Sequence, residues 1–359
     1  MRTIRKVVAE VSPTPTESFD VTTVEQSMDF HGVDMTKLQI KKAFVNTYGS
    51  PTNPNKQVKL ELEPRNTTID VKAIIEDFKN EVRKYKPVSH VGYSRAESSD
   101  PHMLVIALPD AHHGLLSWGQ ETGQDFDLKI SEDRFKESVK KLLLSAHGHS
   151  LGKILMLLNG DILNSEGLSK ATTAGTPQTD DHRWQKAFST CWKMIRDSVE
   201  VCKTVADVEL VFTGGNHDWQ SSYYLGEVLS AWYENDRHVT VDNTPKHYKY
   251  KQYGNSMIGA THGDGAKAVN LPLLMATDNP EMWAQTKHRY YLIGHFHAAS
   301  SKGFQQETEN PGCTVIVCPA ISSASDWTVR MGYRSVPEAQ AFLFHHSKGR
   351  VATYHYRAT

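Results

Sequence analysis

The sequence predicts an α/β layered domain preceded by a small α+β accessory region. Two observations carry this. Between residues 103 and 233, short apolar runs alternate with segments of helical period, the pattern of strands and helices stacked in layers. Residues 23–98 follow another rhythm, two strand-like alternating runs and then one helical run. Residues 1–22, with Ser12-Pro13-Thr14-Pro15-Thr16, read as a flexible lead-in, and residues 99–359 as the main domain.

The elements follow in order. Gln39–Val45 and Gln57–Glu63 alternate as strands do, and Gly49, Pro51 and Pro54 between them suggest a hairpin with a long loop. Val71, Ile74, Ile75, Phe78 and Val82 recur at helical spacing, and Pro87 ends that helix. Gly92–Pro101 is polar and reads as a linker. Met103–Leu108, Ile154–Leu158 and Val208–Phe212 are buried strands by their continuous apolar character. Ser131 is placed to cap a helix carrying Phe135, Val139, Leu142 and Leu143. Trp184, Phe188, Trp192, Ile195 and Val199 mark a long helix whose apolar stripe is core. A further helix spans 223–233. From Val239 strands dominate, at 239–241, 247–252, 256–261, 290–293, 314–318, 340–345 and 351–356, with two short helices near 270–288.

Composition narrows the class. The chain has 359 residues, 39% hydrophobic and 23% charged, the profile of a soluble globular protein. Its 40 Lys plus Arg balance 41 Asp plus Glu for a net charge of −1, so no bulk positive charge advertises nucleic acid or membrane, although a local basic groove survives such averaging. No stretch approaches the roughly 18 apolar residues of a membrane span. The N-terminal MRTIRKVVAEVSPTPTES has charge but no apolar core for a signal peptide. Cys191, Cys202, Cys313 and Cys318 form no C-x-x-C pair. A cytoplasmic protein with buried thiols is expected.

Among the 18 histidines, placement matters more than number. Several stand in short polar motifs just past strand-like runs: Asp110-Ala111-His112-His113-Gly114; Asn159-Gly160-Asp161; Gly214-Gly215-Asn216-His217-Asp218; Thr261-His262-Gly263-Asp264; and Gly294-His295-Phe296-His297. Open α/β sheets bind ligands beyond the carboxyl ends of their strands, so residues far apart in sequence converge there. A carboxylate and an imidazole two apart, as in Asp110 and His112, can grip one ion. Each motif alone has a plain explanation: a polar loop, a Gly-Asp turn, a helix cap, a surface histidine. The whole ordered set, built from Asp, Asn, His and Gly, is not explained by turns.

In that order, D-x-H, G-D, G-N-H-D, H-G and G-H-x-H, residues 102–357 resemble the calcineurin-like metallophosphoesterases. The resemblance implies a sandwich of two β-sheets flanked by helices with a two-metal centre at the strand ends. Asp110, His112 and His297 would hold one ion; Asn216, His262 and His295 the other; Asp161 would bridge them. His217 would stand near the leaving group as general acid or charge stabiliser. His113 and Asp264 adjoin ligands but match no ligand position, and would support them from behind. Two metals about 3.5–4 Å apart can lower the pKa of a bridging water and neutralise developing charge, so the expected reaction is attack of a bridging hydroxide on phosphorus. Mixed N and O donors suit Mn, Fe, Zn, Ni or Co, with Mn the first choice.

Departures from subgroup patterns bear on the substrate. Family protein phosphatases carry G-D-x-x-D-R-G, whereas here the run is Gly160-Asp161-Ile162-Leu163-Asn164-Ser165-Glu166. Asn164 replaces the Asp that supports the catalytic histidine; it can hydrogen-bond an imidazole but stabilises its charged form less. The variant is similar to that of DNA double-strand-break repair nucleases, and the wider chain looks like metallophosphoesterases of bacteriophages. A DNA phosphodiesterase or nuclease is therefore the leading expectation, with Arg183 a candidate phosphate contact. The alternative is a small-nucleotide phosphodiesterase or phosphatase acting on a cyclic nucleotide, dinucleotide or nucleoside phosphate. A non-catalytic scaffold is the third. Nothing in the sequence decides self-association.

Overall fold

The computed structural model describes residues 38–50, 53–64, 76–77, 79–80, 83–84, 100–296, 306–332 and 336–358. The chain divides into two compact units, Met1–Thr68 and Ile69–Thr359. In the first, strands β1 (Leu38–Ser50) and β2 (Asn53–Pro64) pair antiparallel. The ladder runs on to Gly49↔Pro54 and Ser50↔Asn53, so only positions 51 and 52 separate the strands, not a long loop. Pro54 is accommodated because it lies at the start of an edge strand, where a missing N–H is tolerated. The lead-in 1–22 and the apolar positions Val71, Ile74, Ile75, Phe78 and Val82 lie outside the described residues. Positions 76–77, 79–80 and 83–84 are helical and exposed.

The second unit holds strands β3 (His102–Ala107), β4 (Leu151–Asn159), β5 (Asp207–Thr213), β6 (Val239–Asp242), β7 (Lys249–Tyr253), β8 (Ser256–Thr261), β9 (His288–Ile293), β10 (Glu307–Asn310), β11 (Cys313–Val317), β12 (Glu338–His345) and β13 (Gly349–Arg357). They form a six-stranded sheet, β13-β12-β3-β4-β5-β6, and a five-stranded one, β10-β11-β9-β8-β7. Strands β3 to β6 are mutually parallel, as are β8, β9 and β11. The helices are α1 (Gly119–Thr122), α2 (Leu128–Ser145), α3 (Trp184–Lys203), α4 (Trp219–Trp232), α5 (Leu271–Asp278), α6 (Pro280–Gln285) and α7 (Asp326–Arg330).

The period of two along each strand decides the layers. From β3, Leu104 and Ile106 join Phe135 and Leu142 of α2 and Phe188 and Ile195 of α3. The alternate residues Met103, Val105 and Ala107 join Leu155, Leu157 and Phe342 and meet Ile258, Leu292 and Ile316 of the other sheet. That sheet's outer face, Met257, Tyr291, Ile293 and Val315, packs on Leu271 and Met275 of α5. The result is helix, sheet, sheet, helix: the two-sheet sandwich flanked by helices that the sequence implied. Each fully buried Leu, Ile or Phe of these layers contributes about 1.5–3 kcal/mol.

Two local expectations are corrected. Helix α2 starts at Leu128, where the Asp127 side chain accepts Ile130 N–H at 2.7 Å; Ser131 lies inside the helix and bonds His113 instead. Strand β10 was not expected, because its Glu-Thr-Glu-Asn sequence has no apolar alternation. It pairs antiparallel with β11 at the sheet edge, where polar residues are normal. The stripe Trp184, Phe188 and Trp192 is buried as expected, and all four cysteines are buried and free. No helix of the described residues is long and apolar enough to cross a membrane.

Candidate metal centre

The turns that follow β3 and β4 are joined by backbone bonds, as are those that follow β8 and β9, and side chains tie these and the turn after β5 into one cluster. Asp110 N–H donates to Gly160 O (3.1 Å), His112 N–H to Asp161 O (2.9 Å) and Gly294 N–H to His262 O (2.7 Å). Asn159 Nδ2 crosses to the second sheet and donates to Leu292 O at 3.0 Å. The close approach demands glycine. A Cβ on Gly160 would lie 2.8 Å from Gly215 Cα and from His262 Nδ1, and one on Gly215 would overlap the Asp161 carboxylate.

The described non-glycine residues with positive φ are Asp110, His112, Asp161, Lys170 and His295. Four of the five are expected ligands. Such backbone costs about 1–3 kcal/mol per residue and persists where a site holds it in place.

Asp161 stands at the middle. Its Oδ1 accepts the His217 N–H (2.8 Å), and its Oδ2 lies 3.1 Å from His262 Nε2 and 4.0 Å from His217 Nε2. Ligand atoms of Asp161, His262 and His295 lie within 4.8 Å of one another, and so do those of His112, Asp161 and His217. Asp161 is common to both groups. Asn216 Oδ1 is 3.2 Å and His295 Nδ1 3.3 Å from His262 Nε2. Asp110 Oδ2 accepts the His295 N–H (2.8 Å), and its Oδ1 is 4.0 Å from His112 Nε2.

The protonation pattern bears on what fits here. His262 Nδ1 faces the Asn159 carbonyl at 2.8 Å, so Nδ1 carries the proton. Nε2 then points a lone pair at a carboxylate oxygen, an amide oxygen and a second imidazole. A positive charge at Nε2, whether a proton or a metal ion, reconciles that arrangement. Burial lowers the basicity of His262, but the Asp161 charge outweighs it and raises the pKa to about 10. Asp161 is the converse: burial raises it, and the imidazoles of His262, His217 and His112 bring it well below the usual carboxylate range. Buried N and O donors sharing one carboxylate are a chemically suitable set for two divalent ions.

The remaining expected residues fall differently. His297 lies outside the described residues. His113 is wholly buried and turns into the helical layer, bonding Ser131 Oγ (3.0 Å) and Thr190 Oγ1 (2.8 Å); burial lowers its pKa to about 3. Asp264 is exposed, and Arg183 is exposed at the N-cap of α3. Asn164 meets His217 through its backbone carbonyl, 2.8 Å from Nδ1, while its side-chain amide donates to Asp180 Oδ1 (2.7 Å).

Sequence reasoning gave Asp218 no role. Its carboxylate accepts the N–H groups of Asp161, Ile162, Leu163 and Gly215 and the Ser222 hydroxyl, at 2.7–3.1 Å. Burial and the Asp161 charge push its pKa up, yet all five contacts are donated to it, which holds it as a carboxylate. It locks the Asp161 turn to the Asn216 turn. Its position directly after His217 was the available signal. Glu166 was missed too; it accepts Gln220 N–H (2.9 Å) and Ser221 N–H (3.0 Å) and anchors the start of α4.

A further His/Asp group, Asp100, His345 and His346, lies where β3 starts and β12 ends, away from the turns that carry Asp110. Ser347 N–H donates to His345 Nδ1 (3.1 Å), leaving the ring proton on Nε2, which donates to Asp100 (2.9 Å). His346 Nδ1 lies 3.0 Å from the other Asp100 oxygen, so the carboxylate is shared by two imidazoles at the surface.

No protein-family model and no curated protein sequence matches the chain. Among solved structures, it is similar to a phosphatase from Mycoplasma pneumoniae at 8% identity and TM-score 0.34, over 73% of this chain and 94% of the other. It is also similar to a 5′-nucleotidase from Candida albicans at 10% identity and TM-score 0.33, over 75% of this chain and 54% of the other.

Proposed function

We propose that the protein is a metal-dependent phosphoester hydrolase of the calcineurin-like metallophosphoesterase type. The observation that carries the reading is the convergence on Asp161 of two groups of side-chain donors, one with His262 and His295 and one with His112 and His217, each on a turn at a strand end. Asp110 and His112, with His297, would hold one divalent ion; Asn216, His262 and His295 the other; Asp161 both. Bound ions would polarise phosphoryl oxygens and lower the pKa of a coordinated water.

The protein's own groups have defined tasks. His262 is oriented by the Asn159 carbonyl, so that Nε2 is its ligand atom. His217 is oriented by the Asn164 carbonyl, so that Nε2 is the atom that holds or yields a proton beside a leaving oxygen. Asp218 keeps the two turns in register.

The favoured substrate is a phosphodiester of nucleic acid, DNA first, on the strength of the Gly160–Ser165 sequence variant; Mn²⁺ is the favoured ion. The test uses metal-stripped protein with Mn²⁺ added back, assayed on bis(p-nitrophenyl) phosphate beside p-nitrophenyl phosphate. Restored diester hydrolysis that His217→Ala lowers by about 10²–10⁴-fold is expected. Preference for the monoester would overturn the diester assignment, and no hydrolysis with any divalent ion would overturn the enzyme assignment. With DNA as substrate, binding should weaken steeply with salt.

A further inference from the structure

A cleft of about 380 Å³ opens beside the candidate centre, lined by Phe212, Trp219, Tyr223, Asn243, Pro245 and Lys246 among others. Its size is that of a small-ligand site, about 300–1,000 Å³. One wall is continuous with a turn that carries an expected ligand, and the other reaches a turn that carries a second. One wall, from Gly214 to Tyr223, begins two residues before Asn216; a Cβ on Gly214 would meet the Trp219 ring at 2.5 Å, so that ring packs directly on the turn. The other wall, from Asn243 to Lys246, leads into His247 and Tyr248, and the Tyr248 hydroxyl would lie 3.4 Å from a Cβ on Gly265, three residues past His262. The cleft therefore adjoins the Asn216–His262 side of the centre.

Part of its aromatic lining is held in place. Trp219 stacks on His247, with ring centroids 4.1 Å apart and planes at 16°. Tyr223 is 40% exposed, and the neighbouring wall is tied to it by Asn243 Nδ2 donating to Tyr223 O at 3.0 Å. A flat aromatic group entering the cleft would meet an aromatic wall. Lys246 at the exposed lip offers a polar contact.

We propose that this cleft binds the nucleobase of the substrate, so that the phosphoester hydrolysed at the centre is one joined to a nucleoside. The proposal rests on the phosphoester-hydrolase reading for its catalytic consequence, but not for binding. Stacking of a base on an aromatic side chain is sequence-tolerant and follows the ring, not the phosphate.

The test compares thymidine 5′-(p-nitrophenyl) phosphate with methyl p-nitrophenyl phosphate, which share a leaving group and differ in the nucleoside. The wild-type protein should favour the thymidine ester in kcat/KM by about fivefold or more, the scale of one base stack. Tyr223→Ala should remove most of that preference and leave the methyl ester unchanged. In parallel, thymidine binding to the metal-stripped protein is followed by ligand-observed NMR, and Tyr223→Ala should weaken it. Equal hydrolysis of the two esters without thymidine binding would overturn the proposal. Thymidine binding that depends on Tyr223 without any hydrolysis would keep the cleft and overturn the enzyme reading. Absence of both would overturn both.

Discussion

At the residue scale, the centre is governed by which atom of each group is left to face inward. His262 shows this most clearly. The Asn159 carbonyl holds its Nδ1 proton, and the Asp161 charge draws a second proton onto Nε2, raising the pKa from an ordinary 6.5 to about 10. A group raised in this way stabilises the metal-free fold fully below pH 6.5, and that contribution is lost as pH rises through about 10. A metal ion must displace the same proton. Calorimetric titration of metal-free protein with Mn²⁺ at pH 8, in buffers of different ionisation enthalpy, should therefore show release of about one proton; no release would contradict this assignment of Nε2. Asp218 acts by acceptance alone. Asp218→Asn turns an amide toward backbone N–H groups and should cost at least the ~1–3 kcal/mol of one unsatisfied buried donor, read from urea unfolding. It should also weaken metal binding about 10–100-fold, as expected of a group that orients ligands.

Strands and turns show how much could be read in advance. The ends of β3, β4, β5, β8 and β9 were legible because each apolar run stops at a short Asp, Asn, His or Gly motif, and strand direction does the rest. The convergence of these turns was legible from them as a set and not singly. What stayed hidden was of two kinds. Asn164 and His113 are the right residue types in the right turns, but a side chain's direction depends on packing: Asn164 turns to Asp180, and His113 into the layer of Ser131 and Thr190. Strand β10 and the full length of the β1–β2 hairpin were hidden because edge strands need neither alternation nor freedom from proline. Glycine is where this scale is testable. Gly215→Ala places a methyl against the Asp161 carboxylate. It should cost about 1–3 kcal/mol of stability by overpacking, seen in thermal unfolding, and the loss of metal affinity should exceed that of an alanine at Gly175, whose Cβ would meet nothing within 4 Å.

Over the whole molecule, the sandwich places two sheets so that the carboxyl ends of both contribute the proposed ligands: Asp110, His112, Asp161 and Asn216 from one, His262 and His295 from the other. Neither sheet alone holds a complete set, so metal binding should couple the sheets and raise the unfolding temperature of the entire second unit. The most direct test of the account counts the ions. Equilibrium dialysis against Mn²⁺ followed by elemental analysis should find two ions per chain in the wild-type protein, and Asp161→Ala should weaken both sites together, because that carboxylate serves both. Loss of one ion with the other held at full affinity would contradict a shared ligand, and a wild-type chain that retains none would contradict the metal centre itself.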